Sequence, residues 1–325
     1  MMNFDGTVIS SILPPMPVKA DLRAAQIRVS INPDGKFKVA ETIVQAKIAR
    51  SVQVLDWLNK RYDIAKEISS AKKEASKLGR ACDVNGLRVV EGRVAKRYWE
   101  AYGKALPESL DFQGRMTSSH QNNASDPVNS ALNYAYGFLE GECRRAINTV
   151  GLEPSVGFLH DFSEYQTKQS LVYDLQEPFR WVADFVVIRA FEAGLLDLHD
   201  FYFTGDDYRY RFEIEAKQRF ITSIRDTFNS RVKYSGHMMR WDTVIQRKTA
   251  ELGNYLAGKS RTINFAEPTP ILPGLDSEEL RCKILGLTQS KAESTGIPRS
   301  TLHYLRKKAR SSSSFAVYRK VRDRL

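Results

Sequence analysis

Apolar residues recur at three- and four-residue intervals through most of the chain between residues 37 and 257, and this periodicity is typical of amphipathic helices. A clear example is the segment that holds Ile43, Val44, Ile48 and Leu55, with charged residues between them. Further helices are predicted over residues 127–150, 170–195 with a break at Pro178 near its start, 214–232 and 240–257. The pattern therefore predicts a mainly α fold, with one short β-hairpin in the alternating segment 202–212.

Two segments outside this helical region divide the chain. The first 35 residues have extended character, because residues 8–13 favour a strand that Pro14, Pro15 and Pro17 then end. A later segment, 266–274, contains three more prolines, which is typical of a semi-rigid linker. We therefore predict a remnant β strand with its linker at 1–35, a helical domain at 36–265, a Pro-rich linker at 266–275 and a basic domain at 276–325.

The net charge is concentrated in the last of these parts. The 325 residues carry a formal charge of +11, and residues 276–325 hold 12 Lys/Arg against 5 Asp/Glu, a net of +7. Such asymmetry favours a polyanionic partner such as nucleic acid. No uncharged apolar run approaches the ~18 residues that cross a bilayer, and the three cysteines are far apart. The sequence therefore predicts a soluble, cytoplasmic protein with no membrane partner.

A helix-turn-helix pattern occupies residues 288–305. Ala292 is small enough for two helices to cross closely, Gly296 permits a left-handed turn, Ile297 fills the core, and Pro298 suits the first turn of the second helix. The second helix of such a motif reads base edges, and basic residues farther along it contact phosphates. The candidate DNA-binding residues on it are Arg299, Ser300, Thr301, His303, Arg306, Lys307 and Lys308. The alternative is an ordinary helical hairpin with a solvated basic face.

Acidic residues and one histidine form a second candidate group in the middle of the chain. Glu91 opens a predicted helix, His160 lies in a loop, and Asp174 and Glu177 are three residues apart on one helix. Residues at that spacing share a helix face, so both carboxylates can point at one spot. Carboxylates with one imidazole suit Mg²⁺ or Mn²⁺. Taken singly, each residue also has an ordinary interpretation as a helix-dipole partner, a surface histidine or a solvated acid.

Four ordered segments resemble a known family, the CRISPR adaptation integrase that inserts new spacers, together with its transposon-borne relatives, the casposases. The segments are EGRVAKRYW at 91–99, NSALNYAYG at 129–137, GLEPSVGFLH at 151–160 and SLVYDLQEPFR at 170–180. The resemblance runs from about residue 4 to residue 265. It implies that the helical domain 36–265 is catalytic.

The resemblance also implies roles for individual residues. Glu91 matches the metal-binding glutamate of the family's E-G motif, His160 the metal-binding histidine of its G-F-L-H motif, and Glu177 its final acidic ligand. Asp174 is a nearby acid, and Arg180 falls where the family keeps a basic residue close to the scissile phosphate. The implied cofactor is Mg²⁺ or Mn²⁺.

The chain departs from the family pattern at both ends. The family normally begins with a β-rich domain, of which residues 4–17 resemble only the last strand, so the usual dimer interface is not assured. The C-terminal helix-turn-helix lies outside the family core, although casposases carry extensions of this kind. Within the core, Tyr98 is a candidate for positioning DNA, with core packing as an equal alternative.

We therefore predict a metal-dependent DNA endonuclease and integrase that joins DNA 3′-hydroxyl ends into target DNA, as in CRISPR spacer acquisition. A casposase with the same chemistry is the first alternative, which the appended DNA-binding pattern favours. A non-catalytic helix-turn-helix DNA-binding protein is the second. The expected partners are double-stranded DNA, a second copy of the chain in a homodimer or higher oligomer, and a small CRISPR adaptation partner protein. An oligomer is expected because joining both ends of a duplex requires two active sites.

Overall fold

The computed structural model describes residues 19–59, 62–115, 124–160, 169–205, 209–266, 284–285, 287–294 and 296–311. The strand predicted at residues 8–13 and most of the predicted linker lie outside these ranges. The chain divides into two compact units, Met1–Pro270 and Ile271–Leu325.

The described part of the first unit is mainly helical, as predicted. Its helices are α1 (Ala20–Ile31), α2 (Pro33–Leu58), α3 (Ala65–Ala75), α4 (Val84–Gly103), α5 (Pro127–Val150), α6 (Ser170–Gln176), α7 (Arg180–Glu192), α8 (Ile214–Asn229) and α9 (Trp241–Leu256). Short 3₁₀ turns lie at Leu78–Arg80, Glu108–Leu110, Glu177–Phe179 and Leu198–Asp200. No helix in these ranges is long and apolar enough to span a bilayer.

Two antiparallel hairpins interrupt the helices. The predicted hairpin is confirmed: β1 (Phe201–Thr204) pairs with β2 (Arg209–Phe212). A second hairpin, β3 (Arg231–Tyr234) with β4 (His237–Arg240), lies where the pattern predicted a helix as far as residue 232. Ser235 and Gly236 both have positive φ, at 47° and 83°, and this pair of left-handed residues makes the tight turn between the strands.

The N-terminal expectation of extended chain through residue 35 is wrong for residues 20–31, which form α1. Asn32 separates α1 from α2, because its side chain accepts a 2.8 Å hydrogen bond from the N–H of Gly35 and Pro33 occupies the first turn of α2. The buried Gln26 side chain of α1 donates to the carbonyls of Val156 and Glu153, at 2.7 and 3.0 Å. Helix α1 therefore anchors the loop that follows α5.

The core of the first unit places α2 at the centre of the candidate site. Helix α5 packs against α7 and α9, while α2 packs against α3, α4 and the turn Glu177–Phe179. Ile43, Val44, Leu55 and Leu58 of α2 are almost completely buried, as the apolar spacing predicts. Helices α3 and α4 and the turn Glu177–Phe179 thereby lie beside α2, although the turn is distant from it in the sequence.

In the second unit, two helices, Gln289–Ser294 and Arg299–Ser311, are joined by a turn in which Gly296 has φ of +74°. Ala292 and Ile297 are buried between them, with Leu302 and Leu305 of the second helix. The predicted core residues and the left-handed glycine are therefore confirmed. That this unit is a DNA-binding helix-turn-helix domain stays a prediction.

Candidate active site

A lysine that the sequence interpretation missed occupies the middle of the predicted site. The Lys47 ammonium of α2 lies 2.5 Å from Oε1 of Glu91 and 2.5 Å from Oε2 of Glu177. Burial disfavours the charge on Lys47, but the two carboxylates outweigh burial and hold its pKa above the ordinary value. Two residues predicted as metal ligands thus share one cation, contributed by the chain itself.

Glu91 lies in the interior of helix α4, and its side chain extends to the Lys47 ammonium. The expectation that Glu91 opens a helix is wrong, because α4 begins at Val84 and is capped by Asp83, whose side chain accepts a 2.7 Å hydrogen bond from Gly86. Helix-dipole effects are confined to the first turn, so they do not explain a glutamate about two turns farther on. The Glu91 side chain retains about a fifth of its exposure, at 21%.

Glu177 is positioned by a break between two helices. Pro178 lies in the 3₁₀ turn between α6 and α7, which buries the Glu177 side chain to 4% exposure. Burial alone would raise the pKa of Glu177, but Lys47 and Arg180 outweigh it and lower the pKa to about 2. The contact between Oε2 of Glu177 and the Lys47 ammonium is a buried ion pair.

Asp174 holds the loop that carries His160. Its buried carboxylate accepts hydrogen bonds from the backbone N–H groups of Phe158, Leu159 and His160, at 2.5, 3.0 and 2.9 Å. It also lies 2.7 Å from Nδ1 of His160. The two acids therefore do not point at one spot as the spacing predicted: Asp174 faces the loop, and Glu177 faces Lys47. Neither acid is solvated.

Because Nδ1 of His160 contacts Asp174, Nε2 is the ring nitrogen that can face a ligand. The His160 side chain is 43% exposed. A carboxylate bound to the distal ring nitrogen is the usual support of a metal-binding histidine, since it fixes the tautomer and the ring orientation. Arg88 of α4 ties the same loop to the site by donating from Nε to the Leu159 carbonyl at 2.8 Å. Arg88 precedes Glu91 by three residues, so the loop and Glu91 meet on one face of α4.

Arg180 and a cluster of buried tyrosines form another part of the candidate site. Nη1 of Arg180 donates to Oε1 of Glu177 at 3.3 Å, and its guanidinium lies over the Tyr136 ring at 4.2 Å. The Tyr136 hydroxyl donates at 2.5 Å to Asp184, whose pKa is raised by burial. Tyr98 donates to the same carboxylate at 2.8 Å and is only 3% exposed, so its hydroxyl is engaged within the protein. A direct contact of Tyr98 with DNA stays a prediction.

These residues line a cavity of about 520 Å³. Lys47, Glu91 and Glu177 lie on its wall, together with the aromatic side chains Trp99 and Trp181. The cavity also contains Lys96, Arg115 and Arg180 on its wall. Cationic and aromatic side chains therefore share the cavity wall with the two carboxylates.

The donor chemistry of Glu91, Glu177 and His160 suits Mg²⁺ or Mn²⁺, and the Asp174 support of His160 is the arrangement expected beside a metal. In the described part of the chain, however, no three Asp, Glu, His or Cys side chains converge closely enough to hold a metal ion. The Lys47 ammonium lies between Glu91 and Glu177. The residues therefore fit the ion in type and need a local rearrangement to close around it.

The candidate DNA-binding residues of the second unit have unequal surroundings. Arg299, Ser300, His303 and Lys307 are exposed, and Thr301 is half-buried. Arg306 instead donates to the carbonyls of Ile284 and Leu287, which ties the second helix to the start of the unit. The Lys308 side chain lies outside the described residues.

Comparisons with known proteins identify the family to which the chain is similar. The profile of the family described as CRISPR associated protein Cas1 matches residues 1–226. The CRISPR-associated endonuclease Cas1 1 of Archaeoglobus fulgidus is 26% identical over 284 residues, which cover 82% of this chain and 81% of that protein.

Solved structures extend the similarity to the fold. A casposase bound to its integration product aligns with a TM-score of 0.75 and 32% identity, covering 88% of this chain and 78% of that chain. A Cas6-RT-Cas1–Cas2 complex aligns with a TM-score of 0.70 and 20% identity, covering 82% of this chain and 29% of that chain, and this shows the fold alone. The profile match covers most of the chain, so the protein belongs to the CRISPR-associated Cas1 family of endonucleases and integrases.

Proposed function

We propose that this protein is a divalent-metal-dependent DNA integrase that joins a DNA 3′-hydroxyl end to a phosphate of target DNA. The observation that carries the proposal is the pair of carboxylates, Glu91 and Glu177, that face one cation position at the wall of a cationic and aromatic cavity. The imidazole of His160, which Asp174 orients, would supply the third donor.

Glu91, Glu177 and Nε2 of His160 would hold Mg²⁺ or Mn²⁺. The ion supplies positive charge that offsets the charge developing on a non-bridging phosphate oxygen. Asp174 keeps Nε2 directed outward by engaging Nδ1, and Arg88 holds the loop against α4. Arg180, whose pKa the neighbouring carboxylate holds above its ordinary value despite burial, remains a permanent positive charge beside the phosphate.

The reaction exchanges one phosphodiester bond for another. The attacking 3′-hydroxyl gives its proton to water and its oxygen bonds to phosphorus, while the bond between phosphorus and the 3′-oxygen of the target strand breaks. That oxygen takes up a proton from water and leaves as a 3′-hydroxyl. The number of phosphodiester bonds is conserved, so no ATP is consumed. With water as the nucleophile, the same site nicks DNA, which accounts for an endonuclease activity.

Double-stranded DNA is the proposed substrate and target, and the related casposase is described as bound to an integration product. One site joins one strand end, so inserting both ends of a duplex requires at least two copies of this chain. The fold-level match to a Cas1–Cas2 complex supports a small adaptation protein as a further partner.

The test is strand joining with a short duplex that carries free 3′-hydroxyl ends. Joining should require Mg²⁺ or Mn²⁺ and stop with EDTA, and dideoxy-terminated ends should not be joined because the attacking oxygen is missing. Robust joining with EDTA, or with dideoxy ends, would refute the proposed chemistry.

Casposon-type integration is a second candidate, favoured by the 32% identity to a casposase and by the basic helix pair after residue 276. The two candidates differ in the donor DNA. A casposase should join ends that carry one particular terminal sequence and fail with scrambled ends, whereas a CRISPR adaptation integrase should accept varied ends and select the target site.

A further inference from the structure

We propose that Lys47 is a built-in placeholder cation, which holds the Glu91 and Glu177 carboxylates together without a divalent ion and must leave that position when the ion binds. The proposal rests on the proposed function, because it concerns the same metal site. It assigns to Lys47 a positioning role that controls how tightly the site binds its ion.

The Glu91 and Glu177 carboxylates contact a cation at the same position. Both carboxylate oxygens lie 2.5 Å from the same Nζ, so they are at most about 5 Å apart. A divalent ion held by both carboxylates would take oxygen ligands at roughly 2.0–2.1 Å, so the two oxygens would close slightly around the position of the ammonium. Lysine and the ion therefore compete for the same oxygens.

The ammonium is needed when no ion is present. Glu177 is almost completely buried and Glu91 largely so, and two like charges this close in a poorly solvated site repel each other. Removing one partner of a buried ion pair is strongly destabilising, since it leaves an uncompensated buried charge. Lys47 thus holds the two carboxylates close together until an ion replaces it.

A path for that movement is present. Lys47 lines the 520 Å³ cavity and keeps 20% of its side-chain exposure, so its flexible stem can carry the ammonium from the carboxylates into the open space. There the charge faces the same volume that the proposed DNA phosphate enters. The displaced lysine is then available to that phosphate.

The experiment measures ion binding to the full chain without DNA. Mn²⁺ is titrated by calorimetry into wild type, Lys47→Met and the control Lys96→Met, which removes the same charge from an exposed position on the same cavity. We expect Lys47→Met to bind Mn²⁺ about tenfold tighter than wild type, within the range of couplings between competing ligands. Lys96→Met should bind as wild type does. Equal affinity for all three proteins would overturn the proposal.

Thermal unfolding supplies a second readout. In EDTA, Lys47→Met should melt below wild type, and saturating Mn²⁺ should recover most of the difference, whereas a lysine needed only for packing would give a deficit that Mn²⁺ leaves unchanged. If Lys47→Met does not fold, Lys47→Met/Glu91→Gln should fold, since one of the repelling charges is gone; failure of both would overturn the proposal. Wild type that binds no Mn²⁺ and joins DNA in EDTA would instead refute the proposed function itself.

Discussion

Replacing Asp174 by alanine should strongly lower the free energy of unfolding, although Asp174 is not itself a proposed metal ligand. The carboxylate is completely buried and accepts hydrogen bonds from Phe158, Leu159 and His160 backbone N–H groups. Each buried donor left unsatisfied costs about 1–3 kcal/mol. Because neighbouring losses are not additive, we expect a total of about 3–6 kcal/mol.

The measurement is the free energy of unfolding from urea titration, alongside the melting temperature. At about 2–4 °C per kcal/mol, Asp174→Ala should melt about 10 °C lower. Asp83→Ala is a matched control, because Asp83 accepts one 2.7 Å backbone hydrogen bond at an exposed helix cap and should cost about 1 kcal/mol. If the two variants lost equal stability, the argument that Asp174 organises the His160 loop would be refuted.

The same loop can be tested from its other side with Gly157→Ala. A Cβ at Gly157 would lie 2.7 Å from Cβ of Ser170 and 2.9 Å from Oδ2 of Asp174, too close for any real contact. The loop must therefore shift away from Asp174, and we expect lower stability together with reduced Mn²⁺ affinity. Alanine at Gly92, where a Cβ meets nothing within 4 Å, is the control. Unchanged Mn²⁺ affinity in Gly157→Ala would show that the loop does not position a ligand.

Two further predictions concern the charge on Glu177 and the basic tail. Burial would raise the pKa of Glu177, but Lys47 and Arg180 outweigh it and lower the pKa from 4.5 to about 2. Ionised Glu177 therefore stabilises the fold fully above pH 4.5, and this contribution is lost as the pH falls toward 2. In urea titrations across that range, Glu177→Gln should lose less stability on acidification than wild type; parallel curves would contradict this. Removing residues from Asp276 onward should weaken binding to long DNA and flatten its salt dependence, measured by fluorescence anisotropy, while simple ends are still joined. Within the tail, Arg299→Ala should weaken preferred sites more than scrambled ones and Lys307→Ala should weaken both alike; equal losses for Arg299→Ala would leave the tail a basic anchor.

The helical fold was predictable because the signal is local. Apolar spacing identifies α2 from residues such as Ile43 and Leu55, and Pro178 marks the break that places Glu177. The hairpin β3–β4 escaped prediction because Ser235 is an unusual residue for a left-handed turn. The helix α1 was not predicted because Pro14, Pro15 and Pro17 favour extended chain, although the segment that follows them is rich in alanine, which favours a helix.

The candidate site was predictable only in part. The motifs pointed to Glu91, His160 and Glu177, and the structure brings Glu91 and Glu177 to one cation. Lys47 gave no signal of its own, since a lysine between Ala46 and Ile48 is an ordinary helix residue, and only the packing of α2 against the turn after α6 reveals its partners. Such contacts join residues about 40 to 130 positions apart, and no local pattern encodes them.

Glu91, His160 and Glu177 are proposed to hold one ion that supports strand joining. The most direct measurement is the rate of joining of a 3′-hydroxyl duplex in Mn²⁺ by the three single alanine variants, with DNA affinity measured in parallel. Each variant should lose joining by more than about 100-fold, since changes to the outer partners of a metal ligand alone cost 10–100-fold. DNA affinity should remain close to that of wild type. If any of the three variants bound DNA normally and joined ends at the wild-type rate, the replaced residue would not be a ligand of the ion.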